Sequence, residues 1–242
     1  RKLHQHNVRI IGGNPADIAE FPFAAAIYTT TNDGRYFCGG AIIHRQWILT
    51  AAHCVIGAVS FSIQVGSNSL KKEDNNRLTI SATASIPHPD FDKETFTNNI
   101  GLINLPETLR FNDYINGIAL PSAAVPDNTI TTAIGWGQTD DEISGPVDDL
   151  NKVILVTLAN EHCKYTYGDQ ITENMVCADG LYNEGTCIGD IGGPLIQYQN
   201  GEAVHIATAS FLSFNGCESI DPSGFTRTFS YLDWIKNVTN IE

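Results

Sequence analysis

Cys187-Ile188-Gly189-Asp190-Ile191-Gly192-Gly193-Pro194 is the stretch on which the reading of this chain turns. Three glycines and a closing proline shape it as a loop, and its cysteine offers a covalent anchor. At its centre Asp190 is followed by Ile191, a side chain with no lone pair and no acidic proton. A tightly shaped loop therefore surrounds a residue that can form no covalent intermediate.

The 242 residues are 42% hydrophobic and 17% charged, enough to bury the core of one large β domain or two small ones. The formal net charge is −13, from 14 Lys and Arg against 27 Asp and Glu. That balance argues against nucleic acid or heparin as the main partner, since both need a basic face. The six cysteines, Cys38, Cys54, Cys163, Cys177, Cys187 and Cys217, include no Cys-x-x-Cys pair. Three disulfides in an oxidising compartment are expected, rather than zinc or thiol redox chemistry, and spacing alone leaves their connectivity open. No apolar run is long enough to cross a bilayer. The start, residues 1–9, has no apolar signal core, so secretion implies a signal already removed.

Short β-rich runs separated by Gly, Asn, Asp and Pro, such as Phe61–Val65, Leu78–Ile80 and Lys152–Val156, predict an all-β sandwich or barrel pair. One helix is predicted, at the C-terminus. Tyr231, Trp234, Ile235 and Val238 form one apolar stripe, and Ser230 with Asp233 resembles a capping box. Asn237-Val238-Thr239 is a glycosylation sequon whose Asn237 falls off that stripe. The carboxylates of residues 140–149 read as a solvated, mobile loop. Lys71–Asn76 lacks the alternating oxygen ligands of a calcium loop.

Four stretches, in order, carry a resemblance: Arg9-Ile10-Ile11-Gly12-Gly13, Trp47-Ile48-Leu49-Thr50-Ala51-Ala52-His53-Cys54, Gly135-Trp136-Gly137, and the loop from Cys187 to Pro194. Together they resemble the chymotrypsin/trypsin family of serine proteases over the chain from Ile10 to its end. The resemblance implies two six-stranded antiparallel Greek-key β barrels facing each other across a cleft, followed by a C-terminal α-helix. It implies a pro-segment at residues 1–9 and a trypsin-like domain at 10–242 made of two β-barrel subdomains. Activation would cut between Arg9 and Ile10, and Asp190 would capture the new ammonium. The implied disulfides are Cys38–Cys54, Cys163–Cys177 and Cys187–Cys217. No cofactor and no metal are implied; His4 and His6 belong to the mobile pro-segment.

The family's chemistry needs a serine oxygen, a histidine to take its proton and a carboxylate to hold the imidazole. Position by position, the histidine is His53. The carboxylate position, within Thr97-Asn98-Asn99-Ile100-Gly101-Leu102, is the amide Asn99, and the nucleophile position is Ile191. An Asp-to-Asn change at this point costs on the order of 10⁴ in turnover, as measured in the chymotrypsin family itself. The former oxyanion hole would be the N–H groups of Gly189 and Ile191. The hydroxyls of Thr186 and Ser210 fall by the specificity pocket rather than facing His53. That pocket maps to Gly185, where trypsins carry a carboxylate, and to Ser210, Phe211, Leu212 and Gly224. Leu212 and Ile191 are expected to obstruct the cleft, and His53 to be left without partners.

Within the family, Asn99, Ile191 and the altered pocket resemble the proteolytically inactive serine-protease paralogues of the scabies mite, relatives of the group 3 mite allergens. That resemblance implies a secreted, extracellular protein that is not an enzyme and that binds host complement proteins to inhibit the cascade. It implies no nucleic-acid, membrane or small-molecule partner. The competing expectations are an inhibitor decoy or cascade cofactor on the same fold, and a protease of unorthodox mechanism.

Overall fold

The computed structural model describes residues 13–17, 19–138, 145–180, 185–217 and 219–241. The expected pro-segment with His4, His6 and Arg9, the Ile10 end, and the carboxylates of residues 140–142 lie outside the described residues.

Among the described residues, fourteen strands form two antiparallel sheets. The first half of the chain supplies β2 (Ala24–Thr31), β3 (Arg35–His44), β4 (Trp47–Thr50), β5 (Ala58–Val65), β6 (Leu78–Ala82), β7 (Ala84–Pro87) and β8 (Gly101–Asn104), after the short β1 (Asn14–Pro15). The second half supplies β9 (Ile130–Gly135), β10 (Asn151–Leu158), β11 (Met175–Asp179), β12 (Pro194–Gln199), β13 (Glu202–Phe211) and β14 (Ser223–Arg227). In the second sheet β9 pairs with both β10 and β12, so six strands close on themselves and β1 joins outside, on β10. The first sheet runs β6-β5-β2-β3-β4-β8-β7 and stays open as a curved half-barrel. The expected architecture of two antiparallel barrels with a C-terminal helix is therefore observed, with one barrel closed and one open.

Alternation produces these strands. Along β5 the side chains of Phe61, Ile63 and Val65 turn inward and their neighbours outward, and β10 buries Val153 and Leu155 in the same rhythm. The first barrel packs around Ile27, Ile42, Ile48, Phe61, Ile63 and Ile103, and the second around Val153, Leu155, Val176, Leu195, Ile206 and Phe225. The C-terminal stripe docks on a third cluster, where Tyr231 and Ile235 meet Leu49, Ile100 and Leu102. The helix, however, spans Leu232–Thr239 behind a 3-10 turn at Thr228–Tyr231, and no side chain caps it. The predicted Ser230–Asp233 capping box is thus not formed, because the 3-10 turn delivers the chain and Tyr231 takes the cap position. Asn237 is exposed. A short helix at Asn160–Tyr167, absent from the sequence reading, carries Cys163.

The three disulfides are Cys38–Cys54, Cys163–Cys177 and Cys187–Cys217. Each removes loop freedom from the unfolded chain, worth about 3 kcal/mol on the entropy model. No helix among the described residues is long and apolar enough to cross a membrane.

The described end of the acidic loop is not a solvated arm. Asp148 accepts hydrogen bonds from Ser69 Oγ at 2.8 Å and from the Lys71 N–H at 2.7 Å. It ties the approach to β10 in the second barrel to a loop of the first.

Candidate active-site cleft

The loop from Cys187 to Pro194 is built by backbone contacts that only small residues allow. The Gly39 N–H of β3 donates to the Ile191 carbonyl at 2.8 Å, so the loop is stitched to the first barrel. Gly192 follows with φ +85°, and a Cβ there would fall 2.3 Å from Thr50 Oγ1. Both the left-handed backbone and the close approach require glycine. Asp190 is fully buried and turns inward, where its carboxylate accepts the N–H groups of Gly137 and Cys187, each at 2.8 Å. Burial dominates over those two bonds and pushes its pKa up to about 6.

His53 sits in a 3-10 turn directly after β4, and Asn99 directly before β8. Asn99 is completely buried. Its Oδ1 accepts the His53 backbone N–H at 3.0 Å, and its Nδ2 lies 3.0 Å from His53 Nδ1. The imidazole is therefore not left without a partner, contrary to expectation: the amide replaces a carboxylate in position. Burial lowers the His53 pKa, with the Asn99 bond acting in the opposite sense. Cys54 Sγ stands 3.7 Å from His53 Nε2 and 3.8 Å from the Ile191 carbonyl oxygen, so His53 and the loop adjoin. Among the described residues the cluster of metal-ligating side chains is Cys38, His53 and Cys54, and its two sulfurs are joined as a disulfide.

Leu212 and Ile191 line the cleft without filling it. They share a pocket of about 330 Å³ with His53, Phe96, Tyr167 and Phe211, which corrects the expected obstruction. The aromatic rings make one wall: Phe96 lies 5.9 Å from the His53 ring and 6.4 Å from Phe211, and Tyr167 lies 5.1 Å from Phe211. Phe96 has φ +56°, uncommon for a bulky residue, and this turn brings its ring over the histidine.

Gly185, Thr186 and Ser223 come together as a group. The Thr186 N–H donates to Ser223 Oγ at 3.1 Å, and a Cβ on Gly185 would lie 3.1 Å from that oxygen. The Thr186 hydroxyl is buried and has no partner among the described residues. None of these three side chains carries a charge. Gly224 serves a different purpose from the one expected of it. A Cβ there would fall 2.2 Å from the Phe211 ring, so it is the bed on which that ring lies. Ser210 is buried, with its Oγ 2.9 Å from Asn99 Nδ2.

Sequence reasoning missed Phe91, Phe96, Tyr167 and Ser223. Only Phe96 had a local signal, its place three residues before Asn99.

A cleft holding a histidine beside a glycine-shaped loop between two antiparallel barrels defines a fold of the serine-protease class. The family model for trypsin matches residues 10–235, and the chain belongs to the trypsin family. Brachyurin of Leptuca pugilator is 35% identical over 96% of this chain and 99% of its own length. The collagenase of Hypoderma lineatum is 35% identical over 96% of this chain and 88% of its own, and trypsin I-P1 of Gallus gallus is 32% identical over 94% and 88%. A solved structure of HL collagenase superposes with a TM-score of 0.87 at 34% identity, covering 96% of this chain and all of that one.

These relatives correct the expectation, drawn from Asn99 and Ile191, that the chain is not an enzyme. They are serine proteases that match it along nearly its whole length, and membership of their family points to an enzyme.

Proposed function

We propose that this chain is a secreted member of the trypsin family that engages polypeptide in the cleft between its barrels, and that host complement proteins are its ligands. The observation that supports engagement is the aromatic pocket beside His53, a concave, largely apolar site with few polar groups. Phe214, which lines it, is an exposed apolar side chain, as are Ile188 and Ile220. The loop bearing two of them is braced by Asp221, whose carboxylate accepts from Ser213 Oγ at 2.5 Å and Asn215 Nδ2 at 2.8 Å. Three disulfides suit an extracellular setting. Complement as the ligand rests on the sequence resemblance at Asn99, Ile191 and the pocket positions. The test is a pull-down from human serum with a parallel lysis assay. Capture of complement components and reduced complement-dependent lysis at micromolar protein are expected; neither capture nor protection would overturn the reading.

Peptide-bond hydrolysis is the second reading, favoured by the family itself. Ile191 supplies no attacking atom, so turnover here would draw its oxygen from water or from another group. Casein and collagen digestion, with fluorophosphonate labelling of the same sample, decides it: cleavage above a heat-treated control supports turnover, and none by any substrate removes it.

A further inference from the structure

Against the C-terminal helix lies a second hollow, of about 930 Å³, that shares no lining residue with the cleft. Its floor is aliphatic: Ile43 near the end of β3, Leu120, Leu232 at the start of the helix and Ile241 just past its end line it beside the buried Ile118. Ile43, Leu120 and Ile241 are only partly covered, although each packs against the buried cluster of Leu49, Ile100 and Leu102. The backbone here is already engaged. The Ile118 N–H donates to the Ile42 carbonyl at 2.9 Å, and the Ala119 carbonyl accepts the His205 N–H at 2.9 Å. The Asn240 N–H donates to the Lys236 carbonyl at 2.8 Å. A peptide laid in the hollow would find these groups taken, whereas an alkyl chain asks for none.

The rim supplies donors. The chain carries 27 Asp and Glu, yet among the described residues the ionisable side chains lining this hollow are His44 and Lys236. His44 Nδ1 accepts the Gln46 N–H at 3.2 Å, so the other ring nitrogen carries a proton and donates. Lys236 is exposed and brings three donors on a flexible stem. No described carboxylate lines the hollow to oppose them.

We propose that this hollow binds a free single-chain amphiphilic acid, its alkyl tail along the aliphatic floor and its carboxylate between His44 and Lys236. The site is separate from the cleft and does not depend on polypeptide binding there. Apolar lining with a few polar groups at one side is the usual composition of a small-molecule site, and this volume suits a ligand of that size. Burial of the tail supplies the affinity, and the two donors select an acid over a neutral head.

Titration of the intact protein with hexanoate, octanoate, decanoate and decanol, followed by amide NMR shifts, tests it. Each two methylenes added to the acid should tighten binding about tenfold. Decanoate should bind about fivefold more tightly than decanol, the gain of a rim-exposed charge pair. The shifts are expected at Ala119, Leu232 and Lys236. Equal binding or preference for the alcohol, no gain with tail length, or shifts confined to Phe96, Ile191 and Phe214 of the cleft would overturn the proposal. His44→Gln together with Lys236→Met should abolish the preference for the acid and leave decanol binding unchanged; a double variant that still prefers the acid would overturn the assignment of the head. Sedimentation of the ligand-free protein tests a rival occupant. A dimer in which the Leu232 and Lys236 amides are protected from exchange would give this face to a second copy, and the proposal would fall.

Discussion

Asp190 and His205 are both fully buried ionisable groups, and their titrations oppose each other. Burial raises Asp190 to about 6, above its unfolded value, so its charged form is disfavoured in the fold. Its contribution to stability is complete below about pH 4 and is lost as pH rises through 6, worth about 3 kcal/mol at roughly 1.4 kcal/mol per unit. His205 donates to or accepts from Thr228 Oγ1 at 2.9 Å through Nδ1, and burial lowers it to about 4. Its contribution is present above the unfolded value near 6.5 and is lost as pH falls toward 4. Over the same window one group gains what the other loses, so urea stability of the uncut chain should vary little between pH 4 and 6. Asp190→Asn should unmask the histidine and give a steep loss on acidification; a variant as flat as the parent would show that Asp190 titrates normally. The uncharged trio of Gly185, Thr186 and Ser223 carries a second prediction. A chain with Ile191→Ser and Asn99→Asp should gain no cleavage after Arg or Lys, because no carboxylate meets a cationic side chain there. Strong tryptic activity in peptide assays of that double variant would refute this account of the pocket.

At the scale of elements, Phe211 at the end of β13 needs its partner strand to be bare. Gly224 on β14 pairs with it in register, and the ring lies over the missing side chain. Gly224→Ala should cost about 1–3 kcal/mol through overpacking, and should also displace the pocket's aromatic wall. Thermal denaturation and the near-UV spectrum check it; an unchanged melting temperature would mean that the ring swings aside freely. This dependence was not legible beforehand, because a glycine in a strand does not announce which ring will lie on it. What was legible had local causes. The inward rhythm of β5 and β10 and the stripe from Tyr231 to Val238 follow from element periods of two and 3.6 residues. His53, Asn99 and Ile191 were found because each sits in a motif that the chain keeps contiguous. Tyr167 comes to the cleft from a helix end, and Ser223 to Gly185 and Thr186 from a strand start, and only tertiary packing brings them there. The helix cap failed for the same reason, since its entry geometry is set by what Tyr231 packs against.

The whole molecule is two barrels joined along a seam, and backbone and side-chain hydrogen bonds both cross it. Leu150 N–H and Trp136 Nε1 of the second half both donate to the Asn68 carbonyl of the first, at 2.7 and 2.8 Å. Leu70 N–H answers across to the Asp148 carbonyl at 2.9 Å. The first-barrel side of this seam is a loop whose curvature a side chain maintains from within. Arg77 reaches back so that one guanidinium nitrogen bonds the carbonyls of Ser69 and Lys72, placing a permanent cation where the loop's oxygens converge. A neighbouring carboxylate, Asp74, is held below its usual range, chiefly by hydrogen bonds with Arg77 contributing. Removing that cation leaves the Lys72 carbonyl without its donor and the Ser69 carbonyl with Ser67 Oγ in place of the guanidinium, and lets the loop open, which weakens the bonds that Asn68 and Leu70 make across the seam. Arg77→Met keeps most of the side chain's bulk and should still cost about 1–3 kcal/mol in urea unfolding. Hydrogen exchange should quicken at Leu70 and Leu150, on both sides of the seam, while Ile235 in the C-terminal helix keeps its protection. Protection retained at Leu150 in a destabilised variant would confine the role of Arg77 to its own loop, and the two barrels would then be joined mainly through the cleft.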